Sequence, residues 1–108
     1  MLSYTEKQEI YGKSNFEIMG ELGGRFRDFR IAIGMTQKEA ADRCGTNVMT
    51  ISRFENGGGG SVRLSTFVAM LRALSLLENI YSTIPALPPM TQPSEPQRVR
   101  CNRKKQSV

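Results

Sequence analysis

The apolar residues ahead of residue 85 recur with a helical period. One stripe has its members three or four positions apart: Ile18, Leu22, Phe26, Phe29 and Ile33. A second stripe has a similar spacing: Leu64, Phe67, Val68, Leu71 and Leu74. Neither stretch alternates apolar and polar residues with the two-residue period of a strand. The pattern therefore predicts an all-α fold.

Helix-capping signals bound the first three predicted helices. Ser14-x-x-Glu17 and Thr36-x-x-Glu39 match the capping box, in which each side chain accepts a backbone N–H of the other residue. They start the first and second helices, and Asn47 is a favourable N-cap for a third. Three glycines weaken the first turns of the first helix and leave its start undefined: Gly20, Gly23 and Gly24.

Glycines also mark where these helices end. We expect Gly34 to end the first helix and Gly45 the second, while the third buries Ile51 and Phe54. The run Gly57–Gly60 is a flexible connector to a fourth helix, which carries the second stripe. A fifth helix repeats apolar residues at Leu77, Ile80, Tyr81 and Ile84.

Proline and charge divide the chain into parts. All five prolines lie between Pro85 and Pro96, so we expect residues 85–108 to form a Pro-rich, basic, disordered tail. Residues 15–84 then form the five-helix domain, and residues 1–14 an extension with a short helix or no ordered structure. The tail holds five basic residues and one acidic residue, whereas the rest of the chain holds ten and nine. This distribution fits a polyanionic partner.

Several classes of function are not expected from these residues. The chain has two cysteines and no histidine, which argues against a disulfide framework, a zinc site or any other metal centre. The sequence has no paired carboxylates and no activated nucleophile of the kind that would indicate an enzyme. We therefore expect no catalytic residues and no cofactor. No long apolar run or basic-then-apolar leader is present, so we expect a cytoplasmic protein without a membrane segment.

Two predicted helices joined by a tight turn carry a recognisable set of caps, core residues and polar residues. They are Thr36-Gln37, Ala40-Ala41, Gly45, Thr50-Ile51-Ser52 and Phe54-Glu55-Asn56-Gly57. This set resembles the pattern of Cro/C1-type (XRE) helix-turn-helix regulators, over roughly Leu22 to Leu77. The resemblance implies a five-helix, lambda-repressor-like domain that binds the operator DNA of its own promoter.

Within that family, the later helices look most like HipB-type antitoxins. The residues involved are Phe54–Asn56, Leu64–Phe67, Leu71–Leu74 and Leu76–Ile80, followed by Ile84-Pro85 and the basic tail. HipB-type antitoxins are dimeric repressors that bind HipA-like kinase toxins and silence their own operon, so the resemblance implies that function. Two alternatives stay open: a stand-alone phage-type or restriction-modification control regulator, and an interaction module that has lost DNA binding.

Side chains near the start of the third helix are the candidates for reading bases. They are Val48, Met49, Ser52 and Arg53. Arg53 can donate two hydrogen bonds to guanine, Val48 and Met49 can pack on thymine methyl groups, and Ser52 can bond either kind of base. In the alternative, Val48 and Met49 belong partly to the core and Arg53 pairs with Glu55 or Glu39.

Other polar side chains are candidates for contacts with the sugar-phosphate backbone of DNA: Gln37, Asn47, Asn56, Arg63, Arg30 and Lys38. Gln37 opens the second helix, where the dipole and free N–H groups favour a phosphate. The resemblance implies phosphate contacts for Gln37, Asn56 and Arg63. It also implies a partly buried ion pair between Arg30 and Glu55.

The apolar face of the fifth helix is large for a small lone domain. We expect it to form a homodimer interface through Leu77, Ile80, Tyr81 and Ile84. In the alternative, the same face packs onto the fourth and first helices of its own chain. A two-fold dimer would bind two half-sites about 34 Å apart, one helical turn of DNA.

Overall fold

The computed structural model describes residues 1–57 and 62–89. Six helices follow one another: α1 (Tyr4–Tyr11), α2 (Asn15–Ala32), α3 (Gln37–Cys44), α4 (Val48–Glu55), α5 (Leu64–Ala73) and a 3-10 helix (Leu77–Ser82). No strand occurs in these two described ranges, so the prediction of an all-α fold is confirmed. The additional helix α1 lies in the N-terminal extension. For that extension the sequence allowed either a short helix or no ordered structure.

The prediction of a disordered tail falls largely on residues 90–108, which lie outside the described residues. Residues 85–89 are described and belong to no helix or strand. Their sequence is Pro-Ala-Leu-Pro-Pro, and proline lacks the N–H group that a helix interior requires. The helical part of the described chain therefore ends before Pro85.

Local capping chemistry starts the first four helices. The two predicted capping boxes, Ser14 with Glu17 and Thr36 with Glu39, are both formed, with all four hydrogen bonds between 2.8 and 3.0 Å. Ser3 and Glu6 form a third box at α1. At α4 the Oδ1 atom of Asn47 accepts the Thr50 N–H at 2.8 Å. The caps at Ser14, Thr36 and Asn47 depend only on residues three apart, which is why they could be predicted, whereas the box at Ser3 was not predicted.

A close approach between backbones sets how α2 crosses α4. A Cβ atom on Gly23 would overlap the Phe54 carbonyl oxygen and would lie 2.8 Å from the Phe54 carbonyl carbon. Gly23 is therefore buried against the last turn of α4, and any side chain there would push the two helices apart. The glycine that weakens α2 as an isolated helix is the residue that allows it to pack.

The core lies between α2, α3, α4 and α5. Its buried apolar residues are Phe26, Met35, Ala40, Ala41, Cys44, Ile51, Phe54, Met70 and Leu74. The Phe54 ring meets Phe26 and Phe67 edge-on, with ring centroids 5.8 and 6.3 Å apart. The prediction that α4 buries Ile51 and Phe54 is thereby confirmed.

The predicted apolar stripe of α2 is only partly the buried face. The buried residues of this helix are Gly23, Phe26 and Arg30, whereas Leu22, Phe29 and Ile33 stay substantially exposed. Three of the five residues of the stripe are therefore exposed. The reason is tertiary, because contact with α4 at Gly23 rotates α2 so that part of its apolar face points away from the core.

The fifth predicted helix is shorter than expected. Residues Leu77–Ser82 form a 3-10 helix, and Ile84 lies beyond its end. Pro85 disfavours a helical conformation for Ile84, which accounts for the early stop. Leu77 and Ile80 are half-buried beside α5, while Tyr81 and Ile84 are exposed. None of the helices in the described ranges is long and apolar enough to span a membrane.

Candidate nucleic-acid interface

The turn between α3 and α4 is fixed by backbone hydrogen bonds. Gly45 ends α3 in the left-handed conformation, with φ of 67°, which favours glycine over any other residue. The next N–H group, that of Thr46, donates to the Ala41 carbonyl at 3.0 Å. Asn47 then caps α4 directly, so two eight-residue helices are joined by three residues.

The helix α4 has one buried face and one exposed face. Ile51 and Phe54 are in the core, whereas Val48 is 41% exposed and Met49 is 58% exposed. Arg53 is exposed and Ser52 is half-buried. We call Val48, Met49, Ser52 and Arg53 the outer face of α4. The alternative in which Val48 and Met49 belong to the core does not fit these exposures.

Arg53 also has no ion pair among the described residues. The acidic group proposed in the alternative, Glu55, is occupied by Arg30, and Glu39 is used in its capping box. The guanidinium group of Arg53 therefore projects from the outer face of α4 without an acidic partner in the described part of the chain.

Arg30 and Glu55 form a buried ion pair between α2 and the last residue of α4. The Arg30 Nε atom donates to Glu55 Oε2 at 2.5 Å, and Nη2 donates to Oε1 at 2.9 Å. Side-chain exposure is 9% for Arg30 and 1% for Glu55. The hydrogen bonds to Glu55 raise the pKa of Arg30, although burial acts in the opposite direction. This two-point geometry is the strong form of an arginine–carboxylate pair.

The same arginine uses three of its five N–H donors within the protein. Its remaining terminal nitrogen, Nη1, donates to the Met35 carbonyl at 2.8 Å. The Arg30 side chain is only 9% exposed, so its observed role is structural. One N–H on each of Nη1 and Nη2 is not used in these three bonds, and the contact of Arg30 with the DNA backbone stays a prediction.

Gln37 joins this pair from the start of α3. Its Nε2 atom donates to Glu55 Oε1 at 3.0 Å, and the side chain is partly buried. One carboxylate therefore contacts residues from both α2 and α3. The sequence placed Gln37 at a helix start and did not predict its contact with Glu55, because the two residues are 18 positions apart.

The remaining candidates for contacts with the DNA backbone all lie at the protein surface. Asn47 uses its Oδ1 atom to cap α4, and Asn56 donates to the Ser52 hydroxyl over a long 3.4 Å. Lys38 lies 3.7 Å from Asp42 in an exposed pair. Arg63 is exposed at the start of α5, where its side chain makes no capping hydrogen bond.

A polar cavity of about 230 Å³ lies between the turn and the start of α5. Its lining includes Arg63 and the three threonines Thr46, Thr50 and Thr66. Sequence reasoning did not group these residues. The only signal available was their polarity, because their proximity depends on how α5 packs on α3.

The residues described by the structure contain no group of three or more metal-ligating side chains placed to hold an ion. The thiol of Cys44 is part of the core, and burial raises its pKa. A raised pKa keeps this thiol protonated and unreactive at neutral pH.

A family model described as a helix-turn-helix domain matches residues 21–79, more than half of the chain. The chain belongs to the helix-turn-helix domain family. The match begins within α2 and ends in the 3-10 helix, so it covers the turn, the outer face of α4 and the buried ion pair. A comparison with curated proteins found no match. A helix-turn-helix domain indicates a DNA-binding regulator.

Proposed function

We propose that this chain is a sequence-specific DNA-binding repressor that places α4 in the major groove. The observation that carries the proposal is the division of α4 into a core face and an outer face. Arg53 donates to the major-groove edge of guanine, a contact that contributes about 1–3 kcal/mol of discrimination. Val48 and Met49 pack on thymine methyl groups, and Ser52 bonds a base without strong preference.

Backbone contacts hold α4 in register. Gln37, Asn47 and Lys38 lie in the first turns of α3 and at the cap of α4, where N–H groups attract phosphate. Asn56 and Arg63 lie at the two ends of the connector. In the proposed complex these five residues bind the sugar-phosphate backbone, while the outer face of α4 supplies the sequence preference.

The proposed repressor acts as a homodimer on a two-fold operator in its own promoter. The proposed interface includes Leu77, Ile80, Tyr81 and Ile84. Tyr81 and Ile84 are exposed in the single chain, which supports this role because large apolar side chains at the surface often mark contact sites.

We further propose that the repressor is the antitoxin partner of a HipA-like kinase. Support comes from the resemblance of residues 64–80 to HipB-type antitoxins. The direct test is to express the chain with the kinase-like product of its neighbouring gene, if one is present. Co-purification is the expected result, whereas a neighbouring gene of another kind would favour the stand-alone regulator.

The DNA-binding proposal is tested by measuring affinity for the upstream promoter and for scrambled DNA at two salt concentrations. We expect at least about 10³-fold tighter binding to the promoter. We also expect affinity for both DNAs to fall with salt, by about 0.9 log units per log unit for each neutralised phosphate. Equal affinity for both DNAs would contradict sequence-specific binding.

A further inference from the structure

We propose that the groove between α2 and α5 is the docking site for the C-terminal segment Tyr81–Leu87 of a second copy of this chain. The inference rests on the homodimer of the proposed function. It goes beyond that function because it names the surface that binds the partner's segment. The predicted interface did not include this groove.

The groove is largely apolar, and the residues that the structure describes leave it open. A cavity of about 220 Å³ lies between Leu22 and Phe29 of α2 and Leu71 of α5. A second cavity of about 190 Å³ shares Leu22, Phe54 and Phe67 with the first, so the two lie side by side along the groove. Leu22 is still 37% exposed and Phe29 is 47% exposed.

The sequence shows that this face is built for burial. Leu22 and Phe29 belong to the apolar stripe of α2, and a helix carries such a stripe to pack against another element. The described part of the chain covers only the side of the stripe nearest α4. We therefore expect an apolar segment to pack against the exposed side of the stripe.

The C-terminal segment has the matching chemistry. Tyr81, Ile84 and Leu87 are each more than three-quarters exposed, and residues 81–89 carry no charged side chain. Tyr81 lies at the end of the 3-10 helix, and Ile84 and Leu87 follow it outside any helix or strand. Apart from Arg25 and Asn79, the first cavity of the groove is lined by apolar residues, so an uncharged apolar segment matches most of this surface.

The position of the segment fits a reciprocal exchange. Asn79 lines the same groove, so the segment leaves the domain at the groove's edge and points its apolar residues into solvent. Each chain thus offers one groove and one segment side by side. A two-fold dimer in which each segment enters the other chain's groove uses both surfaces in both copies.

Cross-linking tests the occupant directly. One chain carries Phe29→Cys and the other Ile84→Cys, both with Cys101→Ser, and the two are mixed and mildly oxidised. We expect the mixture to form a covalent heterodimer and each variant alone to remain largely uncross-linked. Cross-linking of the Ile84→Cys chain with itself would overturn the proposal, because it would place the two segments against each other.

Mass measurement by light scattering gives the second readout. We expect the parent chain to have twice its 12.1 kDa mass, Phe29→Glu and Ile84→Glu to have the monomer mass, and the control Ile31→Glu to stay dimeric. Ile31 is about half exposed, like Phe29, but does not line the groove. Helical circular dichroism checks that each variant folds.

The outcomes separate this inference from the proposed function. A monomeric parent chain that still binds its promoter would overturn the docking site and leave the DNA-binding proposal standing. A dimer with the expected cross-link but no promoter binding would support the docking site and contradict the proposed function. A dimer that survives both glutamate substitutions would overturn the docking site.

Discussion

At the scale of single residues, Glu55 connects three helices through one carboxylate. It ends α4, receives two hydrogen bonds from Arg30 of α2, and receives a third from Gln37 of α3. Because α3 and α4 both approach DNA in the proposed complex, Glu55 fixes the spacing between a backbone-binding helix and the base-reading helix. A nearly inaccessible ion pair is therefore part of the proposed DNA-binding geometry.

We predict that Glu55→Ala destabilises the protein by about 3–5 kcal/mol, because it leaves the Arg30 charge buried without a partner. Urea unfolding monitored by circular dichroism measures this loss. Asp42→Ala is the matched control, since it breaks the exposed pair with Lys38 and should change the free energy of unfolding by no more than about 0.5 kcal/mol. Similar losses in the two variants would contradict the structural role assigned to Glu55.

The candidate site could be predicted from the sequence only where neighbours along the chain decide the outcome. The exposure of Met49 follows from the helical period once Asn47 is taken as the cap and Ile51 and Phe54 as the core. Val48, three residues before Ile51, lies at the edge of that core face, so its exposure depends on the fold. The contact between Gln37 and Glu55 could not be derived from spacing. The hydrogen bond from Arg30 Nη1 to the Met35 carbonyl could not be predicted either, because only the fold brings the two groups together.

At the scale of helices, the crossing of α2 and α4 depends on Gly23. The helix α2 contains three glycines, but only Gly23 faces another backbone so closely that a side chain has no room. Gly24 has open space around the position of a Cβ atom. Adjacent glycines in one helix therefore have different physical roles.

We predict opposite effects for alanine at these two positions. Gly23→Ala should destabilise the protein by about 3 kcal/mol, because the Phe54 carbonyl belongs to the backbone and cannot turn aside. Gly24→Ala should stabilise it by about 0.5–1 kcal/mol, because alanine is the better helix former. Thermal and urea unfolding of both variants measure the difference, and equal effects would contradict the close crossing.

The capping boxes predict how stability depends on pH. Hydrogen bonds from the Ser14 backbone and hydroxyl lower the pKa of Glu17, and those from Thr36 lower the pKa of Glu39. A carboxyl whose pKa is lower in the folded state stabilises the protein above its unfolded pKa, near 4.3, and loses that effect as pH falls through its folded pKa.

We therefore predict that the free energy of unfolding decreases as pH falls below about 4.3, and that Glu39→Gln reduces this decrease. Glutamine can keep the capping hydrogen bond and does not titrate. Urea unfolding at a series of pH values between 3 and 7 is the measurement. An unchanged pH dependence in Glu39→Gln would show that this carboxyl does not contribute.

Helix starts could be predicted because a capping box involves residues three apart, whereas helix faces could not. Which side of α2 is buried depends on α4, and Leu22, Phe29 and Ile33 remain exposed although the helical period alone favours burying them. The end of the last helix was likewise placed too late. The 3-10 geometry of residues 77–82 depends on packing against α5 as well as on Pro85.

At the scale of the whole molecule, charge and apolar surface have separate locations. Residues 1–84 hold ten basic and nine acidic side chains, so the helical domain is nearly neutral overall. The proposed DNA contacts depend on individual groups on α3, α4 and the start of α5. Exposed apolar side chains among the described residues include those of the groove between α2 and α5 and of the C-terminal segment. A dimer formed through the proposed docking site would leave the outer face of α4 free for DNA.

The most direct test of the central claim, that the outer face of α4 reads DNA sequence, is the promoter affinity of Arg53→Ala relative to its affinity for scrambled DNA. We predict that promoter affinity falls by about 5- to 150-fold per half-site, equivalent to about 1–3 kcal/mol, while helical content stays at the parental value. Affinity for scrambled DNA should fall much less. Promoter binding by Arg53→Ala at the parental affinity would contradict the account.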